Sequence, residues 1–357
     1  MCFYIRPLGR KFLHFLDLLP ICFLVTIIGG CDSSIDSFSI AEQTLVVYMV
    51  ADNDLNEDAE EFLEHLVSLK VDDRQNVVVF IDNDRGSYLY KVKDGLNLIK
   101  KYGVLSSVSS DVISRVLLDI DYIFPSYNKG LILWSHGTGW IYSDDSRSFG
   151  LDNGDTINID KLASALPHKY QYIILDACYM SSIETVAALR GKTDYILASA
   201  TVVPNIGLVN MNGMEYLLSM LDIRTKLSKI AEEYYNRYQD QDDISIALTY
   251  TPGVEGIIDY VRHIRPQSLE SNYSLTLSSY YFRGYNVFYD TMEAFQIYNI
   301  PISYLSDIIV TSIDSHKRSG ISIYVPNDRN LCYINAYERL SWNMETGWSF
   351  KFKSIVH

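Results

Sequence analysis

The sequence predicts an α/β protein with a mainly parallel central sheet and helices on both of its faces. Two short apolar runs, 131–134 and 172–175, are typical of strands buried on both faces, and each stops abruptly at polar residues. Strand-like and helix-like segments alternate between residues 44 and 250, as they do in parallel sheets. A chain of 357 residues exceeds one ordinary domain, although elaborated α/β folds reach this length as one unit.

The first thirty residues predict an export signal that is separate from the fold. Basic residues precede an apolar run over 18–28, which is too short to span a membrane. The small-small-Cys ending Gly29-Gly30-Cys31 resembles a bacterial lipobox, in which cleavage before Cys31 is followed by its lipidation. An ordinary secretory signal and an uncleaved anchor are the alternatives. We expect a lipoprotein signal peptide over 1–30 and a tether over 31–43. The mature protein would be lipid-anchored in the bacterial cell envelope, at the outer membrane or cell surface, or else secreted.

The mature chain is predicted to have a core over 44–224 and a C-terminal portion over 225–357 that packs on it. Strands are predicted over 44–50, 76–81, 87–92, 131–134, 172–175, 194–199, 244–250 and 320–325. Helices are predicted over 57–69, 108–123, 160–166, 181–189, 225–238 and 254–264. A polar loop is expected over 143–156.

The charge of the mature chain argues against a nucleic-acid-binding protein, and its cysteine count argues against a disulfide-rich protein. Without residues 1–30 the chain carries 27 Lys and Arg against 43 Asp and Glu, whereas nucleic-acid binding needs a basic surface. Once the signal is removed and Cys31 is lipidated, the remaining cysteines are Cys178 and Cys332, which are too distant in sequence to suggest a disulfide framework. A thiol kept unpaired outside the cytoplasm needs a reason, and catalysis is one such reason.

Cys178 and His136 each follow one of the two apolar runs. If these runs are neighbouring parallel strands about 4.8 Å apart, the thiol and the imidazole leave the same edge of the sheet, where ligands of α/β folds collect. A helix-like segment follows Cys178, so we expect its dipole to favour the thiolate, and Ser181 with Glu184 predicts a capping box. We interpret the pair as a nucleophile and its base. The alternative for Cys178 alone is a small buried hydrophobe.

Four sequence blocks resemble the clostripain family of cysteine peptidases, in the caspase-like clan. They are Val-Tyr-Met-Val-Ala-Asp-Asn-Asp-Leu over 47–55, Leu-Trp-Ser-His-Gly-Thr-Gly-Trp over 133–140, Leu-Asp-Ala-Cys-Tyr-Met over 175–180 and Ile-Ser-Ile-Tyr-Val-Pro over 321–326. The resemblance implies a caspase-like α/β/α sandwich whose catalytic core is 44–224. It also implies a cysteine endopeptidase that acts on protein or peptide substrates through an acyl-enzyme.

The resemblance also implies a role for each matching residue. Cys178 matches the nucleophile and His136 the general base, and the backbone N–H groups of Gly137 and Cys178 match the oxyanion hole. Asp176 matches the floor of a pocket for a P1 Arg or Lys, although it could instead cap the following helix. The run 200–208 lacks the acidic residues and the tryptophan usual in the family, so a basic P1 preference rests on Asp176 alone.

Two regulatory traits of relatives have candidates in the sequence. Arg147 is the candidate for autoprocessing between the His and Cys blocks, or else an exposed residue of a solvated loop. The runs 152–155 and 82–84 offer oxygen ligands for calcium, although short acidic runs are usually turns, so we expect no metal or other cofactor.

We expect a monomer that meets the membrane through its lipid anchor alone and binds no nucleic acid. The alternative to a peptidase is a non-catalytic surface lipoprotein, either an inactive homologue or a protein- or glycan-binding module. The altered 200–208 run favours this alternative, and the intact Cys–His pair disfavours it.

Overall fold

The structure is a computed structural model that describes residues 40–141, 148–265, 269–270, 277–282, 285–352 and 354–355. The expected signal peptide over 1–30, the lipidation candidate Cys31 and the processing candidate Arg147 lie outside the described residues. The first strand begins at Ala41, so the last three residues of the expected tether already pair within the sheet.

Nine of the described strands form one sheet, in the order β14-β10-β9-β8-β5-β1-β2-β3-β4. The strands are β1 Ala41–Val50, β2 Gln75–Asn83, β3 Gly86–Val92, β4 Leu96–Gly103, β5 Ser126–Trp134, β6 Phe149–Asp152, β7 Asp155–Ile157, β8 Tyr170–Asp176, β9 Thr193–Ala198, β10 Ser245–Tyr250, β11 Leu269–Glu270, β12 Ser279–Phe282, β13 Tyr285–Asp290, β14 Ile309–Asp314, β15 Ser322–Tyr324 and β16 Ser354–Ile355. Strands β2, β1, β5, β8 and β9 run parallel, and antiparallel strands extend the sheet at both edges. The predicted mainly parallel α/β fold is confirmed.

Helices cover both faces of this sheet. They are α1 Asn56–Leu66, α2 Ser110–Ile123, α3 Ile159–Ala165, α4 Ile183–Leu189, α5 Met211–Leu218, α6 Ile223–Tyr238, α7 Val254–His263, α8 Thr291–Ile297, α9 Ser303–Ser306, α10 Ile334–Tyr337, α11 Ser341–Thr346 and α12 Trp348–Lys351. Buried residues of α1, α5 and α6 pack on one face, and those of α2, α3, α4 and α7 pack on the other. Among the described residues, none of these helices combines the length and apolar character needed to span a bilayer.

The central strands carry continuous apolar stretches because each of their faces meets a helix layer. In β1, Tyr48 and Val50 belong to the core beneath α2, whereas Val47 and Met49 belong to the core beneath α1 and α6. This double burial is why the central strands appear in the sequence as continuous apolar runs rather than as alternating ones.

The chain after residue 225 completes the central sheet and also packs on it. Strands β10 and β14 pair at one edge of the sheet, while β12, β13 and β15 form a small separate sheet. An aromatic cluster joins this portion to the rest of the chain, with Trp140 packed edge-on against Tyr324 and Tyr337. The described residues from Ile40 onward form one compact unit.

Several elements differ from the sequence expectations. Strand β4 and helix α5 were not predicted, and the expected polar loop over 143–156 contains the β6–β7 hairpin. The predicted capping box is wrong, because Ser182 rather than Ser181 caps α4 and its Oγ accepts from the N–H of Thr185 at 3.2 Å. Glu184 instead turns inward and binds the C-terminal portion.

Candidate active site

The two predicted strand ends lie side by side. Strands β5 and β8 are parallel neighbours in which Trp134 pairs with Asp176, so His136 and Cys178 each follow two residues beyond the same pair. Both side chains line one cavity of about 210 Å³. Residues of the segment 202–207 form a further wall of this cavity. The expected convergence of the thiol and the imidazole at one edge of the sheet is therefore confirmed.

The Cys178 thiol is partly buried, and its sulfur faces the segment 202–207. The N–H of Val203 donates to Sγ at 3.3 Å. Burial raises the pKa of Cys178, the negative charge of Asp176 raises it further, and the Val203 N–H lowers it. Burial thus opposes the thiolate, and α4 begins only at Ile183, so whether its dipole favours the thiolate stays a prediction.

The backbone turns sharply after the nucleophile candidate. Tyr179 has φ +61°, a left-handed conformation that costs a non-glycine residue on the order of 1 kcal/mol. Its hydroxyl donates to the carbonyl of Tyr281 at 2.8 Å, and its ring stacks on Phe288 with centroids 5.5 Å apart. These contacts hold the turn that carries Cys178. No local sequence pattern signals a strained non-glycine residue, so the role of Tyr179 could not be predicted.

Gly137 lies directly against the backbone of Cys178. A Cβ at Gly137 would lie 2.6 Å from the Cys178 carbonyl oxygen, which is closer than real Cβ atoms pack, and 3.1 Å from the Cys178 nitrogen, which is tighter than most Cβ contacts. Gly137 bridges Phe149, and the flanking hydrogen bonds use the N–H groups of Thr138 and Gly150. The N–H of Gly137 takes no part in this bridge and is directed away from β6.

His136 contacts a carboxylate that the sequence analysis did not single out. Its Nε2 lies 2.7 Å from Oδ1 of Asp54, in the loop between β1 and α1. Its backbone carbonyl accepts from the N–H of Gly150 at 3.0 Å. The strand order could have pointed to Asp54. Strand β1 is the parallel neighbour of β5, so the loop after β1 leaves the sheet at the same edge as the loop after β5.

Asp176 is a buried carboxyl at the floor of the cavity. Its Oδ1 accepts from the N–H of Leu208 at 2.7 Å and its Oδ2 from the N–H of Val209 at 3.1 Å. Burial raises the pKa of Asp176 to about 6, although these two N–H groups and the charge of Arg237 lower it. Asp176 does not cap α4, so that alternative is wrong. The Asp176 carboxyl instead binds the backbone of Leu208 and Val209, which follow the cavity-wall segment 202–207.

The two acidic runs considered for calcium bind protein groups. Asp152 accepts from the N–H of Ser107 at 2.7 Å, and Asp82 accepts from the Ser87 hydroxyl. Burial raises the pKa of Asp82 to about 6. Within the part of the chain that the structure describes, no three His, Cys, Asp or Glu side chains are arranged to hold a metal ion.

A parallel α/β sheet that brings a thiol and an imidazole into one cavity at adjacent strand ends defines a cysteine peptidase of the caspase-like fold. The chain belongs to the clostripain family, peptidase C11, whose model matches residues 47–301. It is therefore a hydrolase, and the recognised family and the caspase-like fold are confirmed.

Three solved structures share this fold. A secreted C11 cysteine protease from Bacteroides thetaiotaomicron, in complex with an irreversible peptide inhibitor, is 23% identical with a TM-score of 0.73. An inactive zymogen C11 protease from Parabacteroides distasonis is 22% identical with a TM-score of 0.73. A further secreted C11 protease from B. thetaiotaomicron, iotapain, is 20% identical with a TM-score of 0.72. Each match covers 86% of this chain and 99% of the other. No curated protein matches the chain.

Proposed function

We propose that this cysteine peptidase is an endopeptidase that uses Cys178 as its nucleophile and His136 as its general base. The observation that carries the proposal is the single cavity lined by both side chains, at the ends of two paired strands. The close approach of Gly137 to the backbone of Cys178 supports an oxyanion hole made from their two N–H groups.

The proposed reaction has two halves. His136 takes the proton of the Cys178 thiol while the sulfur attacks the scissile carbonyl, and the oxyanion binds the two N–H groups. The tetrahedral intermediate then collapses, the C–N bond breaks, and the imidazolium gives its proton to the leaving amine. A thioester is left on Cys178. Water attacks this thioester, His136 takes the water proton, and the sulfur leaves with a proton from the imidazolium to regenerate the thiol.

We further propose a preference for Arg or Lys at P1, supported by Asp176 at the cavity floor. A buried carboxylate binds a guanidinium or ammonium through charge-assisted hydrogen bonds. Each oxygen of Asp176 accepts one loop N–H and retains capacity for a second donor. No cofactor is needed in this scheme, because side chains and backbone N–H groups supply every proton transfer and stabilise every charge. Activity that persists in EDTA would agree with this.

The experiment compares peptides that carry Arg, Lys or a neutral residue at P1. Wild type should hydrolyse them, Cys178→Ala should be inactive, and Cys332→Ala should retain wild-type activity because Cys332 is an exposed thiol outside the cavity. A thiol-directed peptide warhead should label Cys178 much faster than Cys332. Activity that survives Cys178→Ala would refute the nucleophile assignment. An inactive wild type without labelling would favour the non-catalytic surface lipoprotein.

The remaining proposals concern export and processing. Secreted proteases among the structural relatives support export of this chain, and we propose Cys31 as the lipidated residue. Incorporation of labelled fatty acid that is lost in Cys31→Ser tests the anchor. We also propose Arg147 as an autoprocessing site. Gel analysis should show fragments of the wild type that are absent from both Arg147→Ala and Cys178→Ala.

A further inference from the structure

We propose that Asp54 is a positioning residue that fixes the His136 ring through Nε2 and leaves Nδ1 to exchange a proton with Cys178. The inference rests on the proposed function, because it assigns the base of that reaction to one ring nitrogen. Nε2 of His136 lies 2.7 Å from Oδ1 of Asp54, which is a strong hydrogen-bond distance.

The contact with Asp54 determines which nitrogen of the neutral His136 ring carries the proton. A neutral imidazole has one nitrogen that donates and one that accepts. A carboxylate accepts only, so Nε2 must carry the proton that faces Asp54. The free lone pair then lies on Nδ1, and this nitrogen is the one able to accept the thiol proton. When the ring becomes an imidazolium, the Asp54 carboxylate also opposes the new positive charge.

Asp54 is exposed, so the geometry of its hydrogen bond with His136 depends on the loop that carries Asp54. The Asp54 side chain is 81% exposed. The preceding Asn53 anchors this loop, because its Nδ2 donates to the carbonyls of Val50 at 3.1 Å and Leu151 at 2.6 Å. Its Oδ1 accepts from the N–H of Leu55 at 2.8 Å, which closes a turn around Asp54. The backbone on both sides of the carboxylate is therefore fixed before the contact forms.

Strand β6 holds both partners of the contact. Its Gly150 N–H donates to the His136 carbonyl at 3.0 Å, and its Leu151 carbonyl accepts from Asn53 at 2.6 Å. On the opposite side, the Ser135 hydroxyl donates to the Val50 carbonyl at 2.7 Å and joins the ends of β5 and β1. The imidazole and the carboxylate are thus tied to the same short strand, and this arrangement sets their separation.

The test compares Asp54→Ala and Asp54→Asn, with Asp84→Ala as a control. Asp84 is an exposed aspartate in the turn between β2 and β3, away from the cavity residues. Asp54→Ala should lower kcat roughly tenfold, a fraction of what general acid–base catalysis supplies, while KM stays unchanged. Asp54→Asn keeps an oxygen that can accept from Nε2, so its kcat should lie between those of Asp54→Ala and wild type.

A second readout does not depend on activity. Nitrogen-15 NMR of the His136 ring in the Cys178→Ala background should show the proton on Nε2, and Asp54→Ala should give a mixture of tautomers. A kcat unchanged in Asp54→Ala, a rise in KM alone, or an unchanged tautomer would each overturn the inference. So would an Asp54→Asn variant as impaired as Asp54→Ala. An inactive wild type whose ring still responds to Asp54→Ala would refute the proposed function but not the Asp54–His136 contact.

Discussion

A Cβ atom on Gly137 would lie 2.6 Å from the carbonyl oxygen of Cys178. Neither atom belongs to a flexible side chain, because one is attached to the backbone of a strand end and the other is itself backbone. Any side chain at position 137 must therefore push apart the two segments that carry the proposed base and nucleophile. The same contact predicts both a stability effect and an activity effect.

Gly137→Ala should lower the free energy of unfolding by about 1–3 kcal/mol, which is typical of overpacking in a tight site. It should also abolish most peptidase activity, since the two N–H groups would separate. Gly191→Ala is the matched control, because no atom lies within 4 Å of its Cβ position. Urea unfolding and kcat/KM measure the two effects. Equal stability of the two variants would contradict the close approach.

The charge state of Asp176 predicts a pH-dependent P1 preference. Burial raises the pKa of Asp176 to about 6, so the cavity floor is mostly neutral at pH 5 and mostly charged at pH 7.5. The ratio of kcat/KM for an Arg substrate to that for a neutral P1 substrate should therefore rise as the pH increases through 6. Taking a ratio cancels the titration of the dyad. Asp176→Asn should flatten the ratio, and a wild-type ratio that stays constant would count against Asp176 as the P1 ligand.

The raised pKa of Glu184 predicts that the free energy of unfolding falls as the pH rises. The carboxyl is buried on α4, where Oε1 accepts from the Tyr324 N–H at 3.0 Å and the Tyr337 hydroxyl at 2.9 Å. Burial raises the pKa of Glu184 to about 7 from an ordinary 4.5. The folded state therefore binds the proton more tightly than the unfolded state. This tighter proton binding adds about 3 kcal/mol to the free energy of unfolding. The added stability is fully present below pH 4.5 and is lost as the pH rises to about 7.

Glu184→Gln keeps the accepting oxygen and removes the titration. The loss of unfolding free energy between pH 4.5 and 8 should therefore be smaller in this variant than in wild type. Asp82 and Asp176 also have raised pKa values and act in the same direction, so the informative quantity is the difference between wild type and variant. Glu338→Gln, at the exposed position that follows α10, should keep the wild-type pH dependence. Parallel curves for wild type and Glu184→Gln would refute the assignment.

The buried ion pair of Arg318, which does not line the cavity, predicts a large effect on stability. Its guanidinium bonds both oxygens of Asp314 at 3.0–3.2 Å and lies 4.0 Å from the Tyr280 ring centroid. The side chains of Arg318 and Asp314 are 5% and 1% exposed. Arg318→Ala leaves a buried carboxylate unpaired and should cost about 3–5 kcal/mol of unfolding free energy.

The control for Arg318→Ala is Arg85→Ala. Arg85 pairs with Glu60 at 2.8 Å, but its side chain is 67% exposed, so its removal should leave stability near the wild-type value. Thermal unfolding compares the two variants. Losses of similar size in both would show that burial does not decide the strength of these pairs.

The sequence predicted the central sheet and the main site because both depend on short, continuous patterns. Double burial makes residues 131–134 of β5 and 172–175 of β8 continuous apolar runs, and the residue that ends each run is visible without a structure. The edge strand β4 was missed because most of its residues are exposed, so it lacks a buried face that could impose alternation.

Features that depend on distant partners could not be predicted. Glu184 matched a local capping pattern, but its partners Tyr324 and Tyr337 are more than a hundred residues away. The raised pKa of Cys178 likewise comes from burial beneath the segment around Val203, which the sequence does not place. The Asp54 contact required knowing that β1 lies beside β5, which only the sheet order shows.

The loop that Asp176 clamps has a consequence for altering the substrate range of this enzyme. Gly207, with φ +82°, packs so closely on the Asp176 carboxyl that a Cβ there would lie 2.7 Å from Oδ2. Asp176 and the loop that contains Gly207 therefore cannot be substituted independently of each other. Val202 lines the same cavity, is 53% exposed and takes no part in this clamp. Laboratory evolution toward new cleavage sequences should therefore randomise Val202 and its neighbour Asn205 while leaving Asp176 and Gly207 intact.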